Sequence, residues 1–201
     1  MIYKKVLNIA IILLLSFSLH GNTLQSDSTV YRKFIPDYVK LQFAGGIGFL
    51  SVGAGYTFFK DKLDVSLFYG YIPKYFTVDD LHSISLQFTG KLLKYKLSDN
   101  IEVLPLNFGV FTHHTFGSEF WVRLGDKYPK GYYWWYPAIN VGLFIGAEIK
   151  TKLFANKTPA SGTAFYIRIG TRGLYLASKA NNSTIPVKDI VELGFGIAVY
   201  R

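Results

Sequence analysis

The chain has no cysteine among its 201 residues. Disulfides, cysteine-ligated zinc and a lipid-modified N-terminal cysteine are therefore all excluded. Charge is scarce too: 17% of residues are charged, against about a quarter in a soluble domain. No apolar run reaches the ~20 residues that a membrane-spanning helix needs. Past the first two dozen residues, no window carries a convincing helical period. A chain without disulfides or long helices needs another source of stability, and a closed hydrogen-bonded barrel supplies one.

What is abundant fits that alternative. Half of the chain is apolar, with 17 Phe, 15 Tyr and 19 Gly. Aromatic and glycine enrichment at the expense of charge suits a barrel with an apolar outside and small residues inside. The formal charge is +9; removing Lys4 and Lys5 with a leader gives 9 − 2 = +7. The basic residues are scattered, with concentrations only near Lys91–Lys96 and Arg123–Lys130, so no nucleic-acid partner is expected. Phosphates of a lipid surface are the simpler counterpart for them.

The N-terminus reads as an export signal. Lys4 and Lys5 precede Val6–Leu19, which is apolar apart from Asn8, Ser16 and Ser18, and polar residues follow at once in His20–Ser28. A charged start followed by about 14 apolar residues is a secretory leader, too short for an anchor. The leader is assigned to residues 1–22, with cleavage anywhere from 18 to 25 because no A-x-A site is present.

The remainder alternates, which is the strand signal. In the last segment Val191, Leu193, Phe195, Ile197 and Val199 share one face, and Glu192, Gly194, Gly196, Ala198 and Tyr200 share the other. Ile139, Val141, Leu143 and Ile145 alternate likewise with Asn140, Gly142, Phe144 and Gly146, ending at Glu148. So do Phe165, Ile167 and Ile169 with Tyr166, Arg168 and Gly170, and Ile84, Leu86 and Phe88 with Ser83, Ser85, Gln87 and Thr89. A fifth stretch sets Leu41, Phe43, Ile47 and Phe49 against Lys40, Gln42, Ala44, Gly46 and Gly48. The pattern predicts an all-β, antiparallel up-and-down transmembrane barrel over residues 38–201. About eight strands are expected, at 38–49, 51–59, 63–72, 82–94, 101–112, 136–153, 163–176 and 189–201. The apolar parity switches between Phe49 and Val52, which we read as a tight turn rather than a bulge. Connections alternate between short (Lys60–Lys62, Leu97–Asn100, 156–162) and long (Pro73–Leu81, His113–Trp135, Ala177–Lys188), as periplasmic turns and outer loops do.

On the leader, the alternating strands and the apolar final strand, the chain resembles the small outer-membrane barrels of the OmpA and OmpX type over about residues 38–201. Two departures concern the closing signal: Tyr200 is penultimate before Arg201, and it shares parity with the inward residues. The resemblance implies Sec export to the cell outer membrane of a Gram-negative envelope. Its expected partners are outer-membrane lipid and lipopolysaccharide, with the barrel-assembly machinery, and its expected state is a monomer. No family-specific motif matches, so the likeness assigns no functional residue.

Three groups are candidates for chemistry. Glu148, Arg168, Arg172 and Glu192 have inward parity and form an expected luminal charge cluster, with Arg172 across from Glu192 and Glu148 across from Tyr166. Its simplest role is a salt-bridge plug, and its sharper one a gate for a restricted pore. His113, His114, Ser118 and Glu119, with His82 near in type, hint weakly at catalysis near the outer leaflet. Lipid A deacylases of barrel type use His, Ser and Glu, but their His-x-Ser motif is missing: Thr115 follows His113 and Phe116 follows His114. On a strand the two histidines point to opposite faces, which weakens any metal reading. Trp121, Tyr132, Tyr133, Trp134, Trp135 and Tyr136 are expected to form an interfacial girdle, or else a sugar- or partner-binding platform beside Lys127 and Lys130. No cofactor and no metal site is expected. The function expected is that of a non-enzymatic integral outer-membrane barrel serving envelope integrity, adhesion or a restricted pore. The alternative is a lipid A-modifying enzyme, an acyl hydrolase or transferase, with its site near loop 113–135.

Overall fold

A computed structural model describes residues 35–77, 79–117, 138–152 and 161–201. Within them the alternating segments form β1 (Tyr38–Ala44), β2 (Leu50–Phe58), β3 (Leu63–Ile72), β4 (Leu81–Lys91), β5 (Tyr95–Ser98), β6 (Ile101–Phe116), β7 (Ile139–Thr151), β8 (Gly162–Arg172) and β9 (Glu192–Tyr200). Every pairing is antiparallel. The sheet runs β4-β3-β2-β1-β9-β8-β7-β6-β5, and β4 pairs with β6 to close it. β5 continues β4 after a break at residues 92–94, and the matching irregularity in β6 lies between Leu104 and Asn107. The result is a closed, eight-stranded, up-and-down barrel. We call the end where β1 begins and β9 finishes the lower end.

Closure removes all but one short sheet edge, and the two faces then separate by chemistry. Leu67, Ile84, Phe88, Phe108, Val110, Leu143, Ile145, Phe165, Ile167, Ile169, Leu193 and Phe195 are exposed on the outside. Gln42, Ser51, Asp64, Ser66, Ser83, Ser85, Gln87, Asn107, Asn140 and Arg168 are buried on the inside. Polar in and apolar out inverts the soluble pattern and matches a barrel whose solvent is lipid.

Some boundaries differ from the sequence expectation, each for a local reason. The strand expected over 38–49 ends at Ala44, because Ala44, Gly45, Gly46 and Gly48 all adopt positive φ and turn the chain back. The parity switch is therefore a turn, as expected, and the strand count is even. β6 runs on to Phe116, past the expected 112. The strand expected to reach 176 stops at Arg172, and Gly173–Asn181 forms a helix, α1, which corrects the reading that no helix follows the leader. Nine residues are too few to register a helical period. Ala177 and Ala180 favour helix, and the Lys179 ammonium donates to the carbonyls of Ser183 and Ile185 beyond its last turn.

The lumen is filled at mid-height by Ile47, Phe68, Phe111 and Phe144. Each ring has room only because a glycine stands directly across on the neighbouring strand: Gly53 beside Phe68, Gly142 beside Phe111 and Gly109 beside Phe144. A Cβ at any of the three would lie within 2.6 Å of the ring. Ile47 was expected on the lipid-facing side of its strand and is instead wholly buried. The glycine turn folds inward and carries it into the aromatic cluster. Ser83 and Ser51 donate their hydroxyls to its carbonyl (2.8 and 3.4 Å), and Arg168 donates to that of Gly45.

Gly46 sits at φ +80°, and a Cβ there would meet Glu192 Oε2 at 1.8 Å. Gly46→Ala is expected to destabilise the folded barrel by about 1–2 kcal/mol, the cost of a left-handed non-glycine residue. A lowered urea midpoint, read by gel mobility of unboiled samples, checks this.

Candidate functional site

The strongest polar cluster lies in the lower lumen, and it includes residues the sequence reading passed over. Asp64 of β3 is fully buried and takes a hydrogen bond from Lys91 of β4 (2.7 Å), while Lys40 of β1 stands 3.5 Å away. Tyr38 shares a hydrogen bond with Ser66 (2.8 Å). Across the lumen Tyr200 donates to Glu148 (2.7 Å), whose other neighbour is Lys150 at 3.9 Å. In the upper half Arg172 pairs with Glu192 at 2.9 Å. Five cations thus share the described lumen (Lys40, Lys91, Lys150, Arg168, Arg172) with Asp64, Glu148 and Glu192 and, at its lower mouth across from Lys150, Glu102. Aromatic faces take up the surplus: Lys40 lies 4.5 Å over Tyr38, Lys150 4.2 Å over Tyr200 and Arg168 4.9 Å over Phe144.

The four charges singled out from sequence do not form one group. Glu148 lies directly across from Tyr166, the expected register. Glu192 faces Gly170 rather than Arg172, because the 173–191 connection spends residues on α1 and shifts the hairpin. The Arg172–Glu192 pair therefore forms along a diagonal. Arg168 reaches neither carboxylate within 4 Å and bonds the inward turn instead. The signal for Asp64 and Lys91 was present in the sequence: each shares parity with the small inward residues of its strand.

His113 and His114 face opposite sides of the β6 wall. His113 is buried in the upper lumen, with Nδ1 2.8 Å from Ser85 Oγ and Nε2 3.0 Å from Thr115 Oγ1. A Ser–His pair of that kind can move a proton, but hydrolysis also wants a carboxylate to orient the ring. Among the described residues both ring nitrogens meet hydroxyls only. Ser118, Glu119, Trp121, Tyr132, Tyr133, Trp134, Trp135 and Tyr136 lie outside the described residues, as does the 1–22 leader. Among the described residues no group of three or more His, Asp or Glu could hold a metal ion.

Near the upper rim the outer wall stops being purely apolar. An aromatic chain runs Phe195–Phe43–Phe49–Phe76–Tyr75, with ring centroids 4.7–5.1 Å apart. On the β3–β4–β6 sector, Tyr69 shares a 2.6 Å hydrogen bond with His82 Nδ1, Tyr71 donates to Asp80 (2.8 Å), and His114 packs edge-on against Phe116 (4.6 Å). Asp80 also takes the Lys74 backbone N–H (2.8 Å), and that bond, with the Tyr71 hydroxyl, holds its carboxyl below the usual range.

The class defined by this geometry is the closed eight-stranded antiparallel barrel with an apolar exterior, the architecture of small outer-membrane barrels. Solved structures are similar to it, two outer-membrane barrels among them. The outer membrane enzyme PagL shares 16% identity, covering 81% of this chain and 95% of its own (TM-score 0.38). The N-terminal β-barrel domain of Pseudomonas aeruginosa OprF shares 13%, covering 82% and 97% (TM-score 0.39). No family model matches the chain, and no curated protein does.

Lys91→Met leaves the buried Asp64 without its hydrogen-bonded partner and is expected to cost about 3–5 kcal/mol. Asp64→Asn combined with Lys91→Met should recover part of that loss in the same urea assay. At the lower rim Lys94 bridges Asp61 (3.5 Å) and Glu102 (3.1 Å). Burial raises the Asp61 pKa, but Lys150, Lys91 and Lys94 together outweigh it and hold the carboxyl below its ordinary 3.8. A depressed folded pKa gives stability that is present above 3.8 and lost as pH falls through the lower folded value. Acid titration of the folded barrel should show a loosening step there, and Lys94→Met should shrink it.

Proposed function

We propose that the chain is an integral protein of the cell outer membrane, a sealed barrel that acts through its surfaces and not through a pore or an active centre. The observation that carries this reading is the pairing of an apolar exterior with a lumen closed at mid-height by Ile47, Phe68, Phe111 and Phe144. The lower end would face the periplasm and the long loops the outside. Outer-membrane lipid and lipopolysaccharide would surround the barrel, and the assembly machinery would insert it as a monomer. The gate role considered for Arg168, Arg172, Glu148 and Glu192 gives way to a structural one, since each charge is tied to a neighbour or stacked on a ring.

The test combines fractionation with conductance. The protein should sediment with outer membranes, migrate differently boiled and unboiled, and give no unitary conductance in planar bilayers. Discrete channels from the folded protein would overturn the sealed reading, and a soluble periplasmic species the membrane reading. The enzyme alternative draws on His114, on the outer wall near the upper rim. Lipid A mass should be identical in cells making wild type, His113→Ala or His114→Ala; an acyl change lost in either variant would favour the enzyme.

A further inference from the structure

Among the described strand residues, the ionisable groups in the upper half of the outer wall are gathered in one sector. On β8, β9 and β1 the outward positions remain apolar up to Ile169, Val191, Leu193 and Phe43. On β3, β4 and β6 the outward columns start the same way, with Leu67, Phe88, Ile84, Phe108 and Val110; β3 and β4 then reach Tyr69, Tyr71 and His82, and β6 carries His114 before ending in Phe116, the direct partner of His82. The register brings the four polar rings together. Tyr71 is the direct partner of His82, Tyr69 is the direct partner of Ile84, and Ile84 is the direct partner of His114. His82 and His114 are thus diagonal neighbours across β4 and β6, within about 7–8 Å. The His82 ring lies between the Tyr69 and Tyr71 rings, at 5.8 and 5.4 Å.

An ordinary girdle needs only amphipathic rings at headgroup level. This sector has more: a Tyr69–His82 pair and a Tyr71–Asp80 pair, held by hydrogen bonds of 2.6 and 2.8 Å, with the His114 imidazole set edge-on against Phe116 beside them. Its chemistry is that of hydroxyl recognition. Carboxylate and imidazole accept from sugar hydroxyls, imidazole and phenol donate to them, and the ring faces take the sugar's C–H edges. A bare phosphate is a poorer match: no guanidinium belongs to the group, and the ammonium nearby, Lys74, is set against the ionised Asp80, which would itself repel the anion. The sector is continuous with the apolar wall below, so a molecule bound there would have its apolar part alongside Leu67, Ile84 and Val110.

We infer that Tyr69, Tyr71, His82 and His114, with Asp80, form a binding site for the saccharide headgroup of a glycolipid in the surrounding leaflet. The inference rests on the outer-membrane reading above and deepens it. Exchanging Tyr69 for Phe keeps the ring and removes the hydroxyl, and His82→Ala removes its partner.

The experiment uses the full mature chain refolded in detergent, with folding confirmed for every variant by the boiled-against-unboiled shift. Rough lipopolysaccharide and, separately, phosphatidylglycerol are titrated in, and bound lipid is counted by native mass spectrometry. Wild type should retain lipopolysaccharide in preference to phosphatidylglycerol. Tyr69→Phe and His82→Ala should each lower that retention at least fivefold, while Tyr95→Phe at the lower rim leaves it unchanged. Equal retention by wild type and both variants overturns the site, and equal retention of the two lipids overturns its saccharide chemistry. Absence of a mobility shift in wild type would instead count against the outer-membrane reading itself, so the two failures are told apart.

Discussion

Eight strands closed into a ring enclose little more than the side chains that point inward, and this narrow lumen is the constraint on which the rest of the structure depends. A phenyl ring on one strand needs an empty position on the next, which is why Phe68, Phe111 and Phe144 each stand beside a glycine. The same limit makes the first hairpin turn inward: a turn of three glycines is slim enough to enter where a bulkier one would be stopped. In a tube so narrow, charge must be compensated within arm's length.

That compensation takes two forms. Near the lower end it is ionic, with Asp64 held between Lys91 and Lys40 and Glu148 between Tyr200 and Lys150. Higher up it is mixed, with one pair, Arg172 and Glu192, and one guanidinium, Arg168, that relies on a carbonyl and a ring face. Buried ion pairs add little to net stability, but losing one partner is severe. These contacts also tie together strands that are not neighbours in the sheet: Lys40 of β1 reaches Asp64 of β3, and Tyr200 of β9 reaches Glu148 of β7.

Most of the barrel was legible in the sequence because a period of two is hard to produce by any other means. Inward and outward positions in β4, β7, β8 and β9 follow directly from alternating residues such as Ile84 and Ser85 or Ile167 and Arg168. Legibility failed where the pattern broke. Ile47 sits among glycines whose positive φ values take it out of the strand, so its parity carried no information. Gly173–Asn181 alternates at Leu174 and Leu176 like a strand, yet folds as a short helix that buries none of its side chains. The candidate sites were less legible still. Parity places Glu148 and Arg172 in the lumen but does not say which partner each finds, since a shift of two residues keeps every side chain on its face and exchanges its neighbour. The wall of Tyr69, His82 and His114 needed the register of three strands, which no single segment encodes.

The inward turn also governs the order in which the barrel can be completed. Ile47 belongs to the first hairpin but clusters with Phe68, Phe111 and Phe144, and Arg168 bonds the Gly45 carbonyl of the same turn across 123 residues. The earliest hairpin therefore stays unfinished until the later strands arrive. A partly assembled sheet would leave both the plug and its socket wet. Contacts of such long sequence separation slow folding and concentrate it into one late cooperative event. The N-terminal hairpin would then act as the clasp of the ring: made first, fastened last, and locking once β8 and β9 are in place.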